Sequence, residues 1–143
     1  MIPKTDELYL PKSWADLKSM QSYLKSSSNT AIFREDEDQE FYMLFFSLID
    51  RSTTLQFIKE RVPAGGIRLI KNDFPYTKLL RHLPYVKQCC LWSYQHLSNS
   101  QVQEYLQEEL SGYDYFWYEN ELTNKSIPEI FHVQVFINVE AFV

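Results

Sequence analysis

Two side chains in the segment FHVQVF have types and a spacing that could support chemistry on a phosphate group. His132 and Gln134 alternate with apolar residues there. Since side chains in a β-strand repeat every two residues, both would lie on one face. An imidazole can act as a nucleophile or transfer a proton, whereas an amide can bind and orient but is not a useful nucleophile. The simpler interpretation of His132 is a half-buried packing residue that is hydrogen-bonded to the backbone.

Two other groups of reactive side chains favour structural roles. Cys89 and Cys90 are adjacent, so in a strand they point to opposite faces and cannot easily form a disulfide. We interpret them as reduced packing residues rather than a redox pair, because they lack CxxC spacing. The acidic run at 34–40 lacks EF-hand spacing and suits a solvated loop and the first turn of a helix, where the macrodipole favours negative charge. No metal or other cofactor is therefore expected.

Composition predicts one folded domain, 1–143, in the cell interior. The chain has 143 residues, of which 45% are hydrophobic and 16% aromatic, so a packed core is expected. A net charge of −5 disfavours nucleic acid as a partner, since such binding depends on Lys and Arg. No stretch approaches 18 apolar residues and the N-terminus lacks a signal-peptide core, so we expect no membrane partner and a cytoplasmic or nuclear location.

Periodicity predicts the elements that must position His132 and Gln134. A helical front part, about 13–62, should contain a helix at 14–25 that is capped by Ser13, a helix at 41–50, and a third that is capped by Ser52 or Thr53. A strand-rich part, about 67–139, should follow the joint at Gly65 and Gly66. Its elements are strands at 67–71, 85–94, 113–120 and 130–139, and a helix at 99–110 that is capped by Ser98. The predicted fold class is α+β, with the helical part packed on a small, mostly antiparallel sheet with one long helix.

The order strand, polar turn, strand, helix, strand and His/Gln strand resembles that of the histidine-triad fold. The resemblance implies a nucleotide-binding groove in which Asn72 and Asp73 of the turn NDFPY hydrogen-bond the ribose, with Pro75 and Tyr76 beside them. It also implies that alternate side chains of the last strand point together at a phosphate. In active members, one histidine attacks the α-phosphate and forms a nucleotidyl-enzyme intermediate.

Two registers of the triad remain open. If its positions are His132, Gln134 and Phe136, the glutamine replaces the nucleophile, and the domain binds its ligand or uses an altered mechanism. If they are Ile130, His132 and Gln134, the histidine is the nucleophile and the motif resembles the His-x-Gln ending of transferase and phosphorylase branches. The sequence therefore leaves open whether the chain is an enzyme, with His132 and Gln134 as the candidate catalytic residues.

Several motifs resemble those of the fungal N-acetylglucosamine-induced protein family, which carries a domain of unknown function. SWADLK, TTLQFIKER, NDFPY, CLWS, FWYEN and SIPEIFHVQV occur in the family's order, from Ser13 to Ile137. The family's Ser-Val-Pro…His-x-His motif favours the first register. The sequence thus predicts a domain that binds a nucleotide or a related phosphorylated small molecule, with divergent hydrolysis or nucleotidyl transfer as a less favoured activity. The alternative is a catalytically inactive module that binds or regulates a protein partner.

Overall fold

The computed structural model describes residues 9–27, 30–48, 51–62, 66–120 and 130–142. Within these ranges the helical segments come first along the chain and the strands follow, with one further helix between the second and third strands. The helices are α1 (Trp14–Ser19), α2 (Gln21–Ser26), a 3-10 helix (Thr30–Phe33), α3 (Asp36–Leu48), α4 (Arg51–Arg61) and α5 (Asn99–Glu109), and the strands are β1 (Ile67–Lys71), β2 (Val86–Ser93), β3 (Tyr113–Tyr118) and β4 (Phe131–Phe142).

The four strands form one sheet in the order β1-β2-β4-β3, and each neighbouring pair is antiparallel. Helices and an antiparallel sheet together confirm the predicted α+β class. In the register of the two central strands, His132 lies opposite Trp92, and Gln134 lies opposite Cys90. On the other side of β4, Gln134 lies opposite Tyr118. The sheet therefore surrounds the His/Gln pair with side chains from three strands.

Both faces of the sheet are buried. One face packs against α5 in a cluster formed by Leu91, Leu97, Val102, Leu106, Leu110, Val133, Val135 and Ile137. The other packs against the helical front part and the turn after β1, in clusters formed by Leu17, Leu24, Phe33, Tyr76, Leu79, Leu83, Val86, Phe116, Tyr118 and Phe136 and by Ile58, Val62, Cys90, Trp92 and Ile130. Because side chains of β4 alternate, His132 and Gln134 belong to this second face.

The predicted continuous helix at 14–25 is wrong, because the chain breaks at Met20 into α1 and α2. The Met20 N–H bonds to the Leu17 carbonyl, three residues back, at 3.0 Å. The Ser19 hydroxyl donates to the Asp16 carbonyl at 2.6 Å, and such local bonds compete with regular helix geometry. The start of the helix was predicted correctly, since the Ser13 side chain caps it by accepting from the Asp16 N–H.

The predicted cap of the third helix is also wrong. Ser52 and Thr53 lie inside α4, which begins at Arg51. The predicted helix at 41–50 is wrong in its start, because α3 covers Asp36–Leu48 and its first turn already contains Asp36, Glu37 and Asp38. Acidic residues in that turn agree with the predicted preference for negative charge at a helix N-terminus. Gly65 and residues 121–129, between the third and fourth predicted strands, lie outside the described residues.

The strand-rich part follows the predicted periodicity closely. Ser98 caps α5 in a full capping box with Gln101, and Gly112 has a φ of 91° shortly after that helix ends. Cys89 is half-buried, Cys90 is buried, and both are free thiols, as predicted. No helix in the described ranges is long and apolar enough to cross a membrane.

Candidate functional site

The His132 imidazole lies inside the molecule, with 6% of the residue's surface exposed. Its Nδ1 is 3.0 Å from the Ile130 carbonyl oxygen. The ring stacks on the cross-strand Trp92 with a centroid distance of 4.4 Å and an interplanar angle of 27°. The neighbouring cluster on this face includes Ile58 of α4 and Val62, which directly follows that helix. This environment fixes the ring, while the catalytic role of His132 stays a prediction.

Gln134 is the acceptor at the centre of a buried amide network. Its Oε1 accepts from Asn72 Nδ2 at 3.1 Å and from Gln88 Nε2 at 3.0 Å. The Cys90 thiol lies 3.7 Å from the same oxygen. Buried polar groups must find partners, and these bonds satisfy the Gln134 carbonyl within the protein. The structure thus joins two predicted site residues, Asn72 and Gln134, through an internal hydrogen bond.

The turn NDFPY is held to the sheet through the same network. Asn72 Oδ1 accepts from the Phe74 N–H at 2.7 Å, which closes a local turn, and Gln88 Oε1 accepts from the Tyr76 N–H at 2.7 Å. Tyr76 is buried, with 3% of its surface exposed. The Asp73 carboxylate is exposed and forms an ion pair with Arg61. Of the four predicted ligand-binding residues, Asn72 and Tyr76 therefore face the interior.

Burial shifts the ionisation of several groups on this face. It raises the pKa of the Cys90 thiol and of the Tyr76 phenol, each to about 12. It also raises the pKa of Tyr118, whose hydroxyl makes no hydrogen bond within the described part of the chain. Burial and a raised pKa both disfavour the thiolate, so Cys90 has the character of a packing residue rather than of a reactive cysteine.

Arg34 connects the turn to the helical front part. Only 6% of its surface is exposed, its Nε donates to the Phe74 carbonyl at 3.0 Å, and its guanidinium lies 4.1 Å from the centroid of the Tyr42 ring. Burial lowers the pKa of Arg34. These contacts hold the turn to Arg34 and to Tyr42 of α3.

A cavity of about 330 Å³ opens between the turn and the ends of β1 and β2. Its lining comprises Lys71, Pro75, Thr77, Leu80, Arg81, Leu83, Pro84, Val86, Lys87 and Gln88. Arg81 is neutralised by Glu35, which accepts from its Nε and Nη2 at 2.8 Å each. Within the described residues, neither Lys71 nor Lys87 has an acidic partner. Both lysines also oppose the increase that burial causes in the pKa of Cys89, which lies opposite Lys71 in the strand register and on the face that packs against α5.

The cavity contains one predicted ligand-binding residue, Pro75, and two important residues that the sequence reasoning missed. Gln88 is 4% exposed and links the cavity wall to the Gln134 network. Lys87 precedes it in β2. The signal that could have identified both is the polar pair Lys87 and Gln88 near the start of an otherwise apolar strand. Among the described side chains, no group of three or more His, Cys, Asp or Glu could hold a metal ion.

Comparison with known proteins shows the fold alone. No protein-family model matches the sequence, and no curated protein matches it. The solved structure "Crystal Structure of HTC1" is similar to this chain, with a TM-score of 0.53 and 16% sequence identity. The match covers 91% of this chain and 84% of the other.

Proposed function

We propose that this protein binds a phosphorylated small molecule, such as a nucleotide, in the cavity beside the NDFPY turn. The observation that carries the proposal is the pair Lys71 and Lys87 on the cavity wall, without acidic partners in the described chain. On a protein with a net charge of −5, an anion needs such a local positive site. The volume of about 330 Å³ is at the lower end of ligand pockets.

In this proposal, the two lysines bind the phosphate and the apolar wall contacts the organic part of the ligand. Ligand pockets typically combine a largely apolar lining with a few polar groups that fix orientation. The apolar lining comprises Pro75, Leu83 and Val86, and the buried Gln88 amide is a polar group that can fix the orientation of the ligand. The Gln134 network then has a positioning role, because it holds Gln88 in place.

We also propose that the sheet is histidine-triad-like, as the order β1, β2, α5, β3, β4 suggests. What supports this is that α5 covers one face while His132, Gln134 and the turn residue Asn72 share the other. Covalent catalysis is not part of the proposal, since His132 is stacked on Trp92 and Gln134 is bonded internally. Membership of the N-acetylglucosamine-induced family remains a proposal on the sequence motifs.

Thermal unfolding in the presence of AMP, ATP or inorganic phosphate tests the binding proposal. A ligand at ten times its Kd stabilises the native state by about 1.4 kcal/mol, which raises the Tm by about 3–6 °C for a domain of this size. We expect this shift in the wild type and its loss in Lys71→Gln/Lys87→Gln. The matched control is Lys12→Gln/Lys25→Gln, which removes two exposed lysines outside the cavity lining.

Two results would contradict the proposal. One is the absence of a shift with either nucleotide at millimolar concentration. The other is an equal loss of the shift in both double variants, which would show that binding follows net charge rather than the cavity. A shift with inorganic phosphate equal to that with AMP would show that the apolar wall contributes nothing to binding.

A further inference from the structure

The outward side of α3 exposes large apolar side chains. Phe41 is 62% exposed, Met43 is 61% exposed and Leu44 is 55% exposed. Single exposed apolar residues are normal on protein surfaces, but Phe41 and Leu44 are three positions apart and therefore neighbours on the helix surface, which makes them the centre of an apolar patch of the kind used for binding. The cavity beside the NDFPY turn does not include any of them.

The opposite side of α3 is fixed against the body of the protein. The rings of Tyr42 and Phe45 lie 5.3 and 5.0 Å from that of Phe74, measured between centroids. The Phe41 ring lies at the border between the two sides, since its centroid is 5.9 Å from that of Phe74 although the residue is mostly exposed. Thr77 donates to the Asp38 carboxylate at 2.6 Å, which attaches the first turn of the helix as well. Rotating the exposed residues inward would break these contacts, so the outward orientation of the patch follows from the packing.

Acidic residues alternate with the apolar ones on the exposed side. Glu37 is four positions before Phe41, and Glu40 is four positions before Leu44, so each acid lies next to an apolar side chain on the helix surface. Both are exposed, and neither forms an ion pair with a Lys or Arg in the described chain. Helix α3 itself contains no basic residue.

The charges decide which partner fits this face. An anionic membrane surface would be repelled by Glu37 and Glu40, and a second copy of a chain with a net charge of −5 would be repelled in the same way. A segment with apolar side chains and alternating Lys or Arg would bury the patch and pair with both acids. We propose that the outer face of α3 docks a cationic amphipathic segment of a partner protein, a function beyond ligand binding in the cavity.

The test uses a synthetic helical peptide of about 18 residues, or five turns, with Leu on one face and Lys on the other. Its affinity for the protein is measured by fluorescence anisotropy, and the same peptide with Glu in place of every Lys is the ligand control. We expect the lysine peptide to bind, and Phe41→Ser/Leu44→Ser to weaken binding at least about tenfold, as loss of central anchors does at interfaces. Circular dichroism confirms that the variant is folded.

Two double charge reversals distinguish the effect of the charges on this face from the effect of the net charge of the protein. Glu37→Lys/Glu40→Lys should also weaken binding at least about tenfold, through local repulsion. Glu108→Lys/Glu109→Lys makes the same change in net charge at exposed positions of α5 and should leave the affinity within about threefold.

Four results would overturn the inference: no binding of the lysine peptide, equal weakening by both charge reversals, equal binding of the glutamate peptide, or a dimer or vesicle contact that Phe41→Ser/Leu44→Ser abolishes. The AMP-dependent thermal shift is measured on the same variants. If that shift persists while peptide binding fails, the docking proposal is wrong and the cavity proposal stands.

Discussion

Replacing Gln134 with Met should destabilise the protein by about 2–6 kcal/mol. Methionine keeps the length of the side chain but removes the oxygen that accepts from Asn72 and Gln88 at 3.1 and 3.0 Å. These donors belong to residues that are only 9% and 4% exposed, so water cannot easily replace the acceptor. Each orphaned buried donor costs about 1–3 kcal/mol, and two of them give the expected range. This is a large part of the about 5–15 kcal/mol that stabilises a typical domain.

Gln103→Met is the matched control, because Gln103 also makes two side-chain hydrogen bonds. Its Nε2 donates to the Tyr115 hydroxyl and its Oε1 accepts from Trp117 Nε1, both at 2.9 Å. These groups are only half-buried, so water can replace the lost partners and the expected cost is below about 1.5 kcal/mol. The free energy of unfolding of each variant is measured by urea denaturation.

A double-mutant cycle gives a sharper test of the network. In Gln88→Met/Gln134→Met, the Gln88 amide that the single Gln134→Met variant leaves orphaned is itself absent. The double variant should therefore lose at least about 1 kcal/mol less than the sum of the two single variants. Additive losses, or equal costs for Gln134→Met and Gln103→Met, would refute a buried network centred on Gln134.

Three further predictions concern single side chains. Tyr118→Phe should leave stability unchanged or raise it by up to about 1 kcal/mol, because it removes a buried hydroxyl without a partner in the described chain; a clear loss in urea denaturation would reveal a hydrogen bond. The wild type and His132→Ala should both show only background turnover of dinucleoside polyphosphates and nucleoside phosphoramidates. Turnover in a chromatographic assay that is lost in His132→Ala would establish His132 as the nucleophile. Burial opposes ionisation of Asp114, but hydrogen bonds from Trp14 and Lys18 outweigh this and lower its pKa below the ordinary 3.8. A lowered pKa contributes stability that is present above the unfolded pKa and is lost as the pH falls through the folded one, so Asp114→Asn should weaken the dependence of unfolding free energy on pH between about 5 and 2. Equal slopes for both proteins would contradict this.

Local patterns were enough to predict much of the strand-rich part. The alternation in IFHVQVF predicted that His132 and Gln134 share a face, and the register of β4 confirms this. The capping residues Ser13 and Ser98 were also identified, because an N-cap can be recognised from a hydroxyl residue that directly precedes a helical repeat of apolar residues. The break at Met20 was missed, since it depends on hydrogen bonds that the apolar period does not encode.

The candidate site was harder to predict because it depends on contacts between distant segments. Sequence spacing places His132 and Gln134 on one face but does not show what lies over that face. The hydrogen bonds of Gln134 join positions 62 and 46 residues apart, and the cluster beside His132 includes Val62 of the front part. The cavity likewise joins Lys71 and Lys87 from two strands. Packing over such separations is not visible in a periodicity of two or 3.6 residues.

The position of β4 between β2 and β3 imposes an order on folding during synthesis. The ribosome produces β1, β2 and β3 before β4, yet β4 is the only strand in the described part of the chain that pairs with β3. Until that strand leaves the exit tunnel, the nascent chain can form the β1–β2 hairpin but must leave β3 and one edge of β2 unpaired. Unpaired strand edges promote aggregation, so newly made chains should depend on chaperones for this interval.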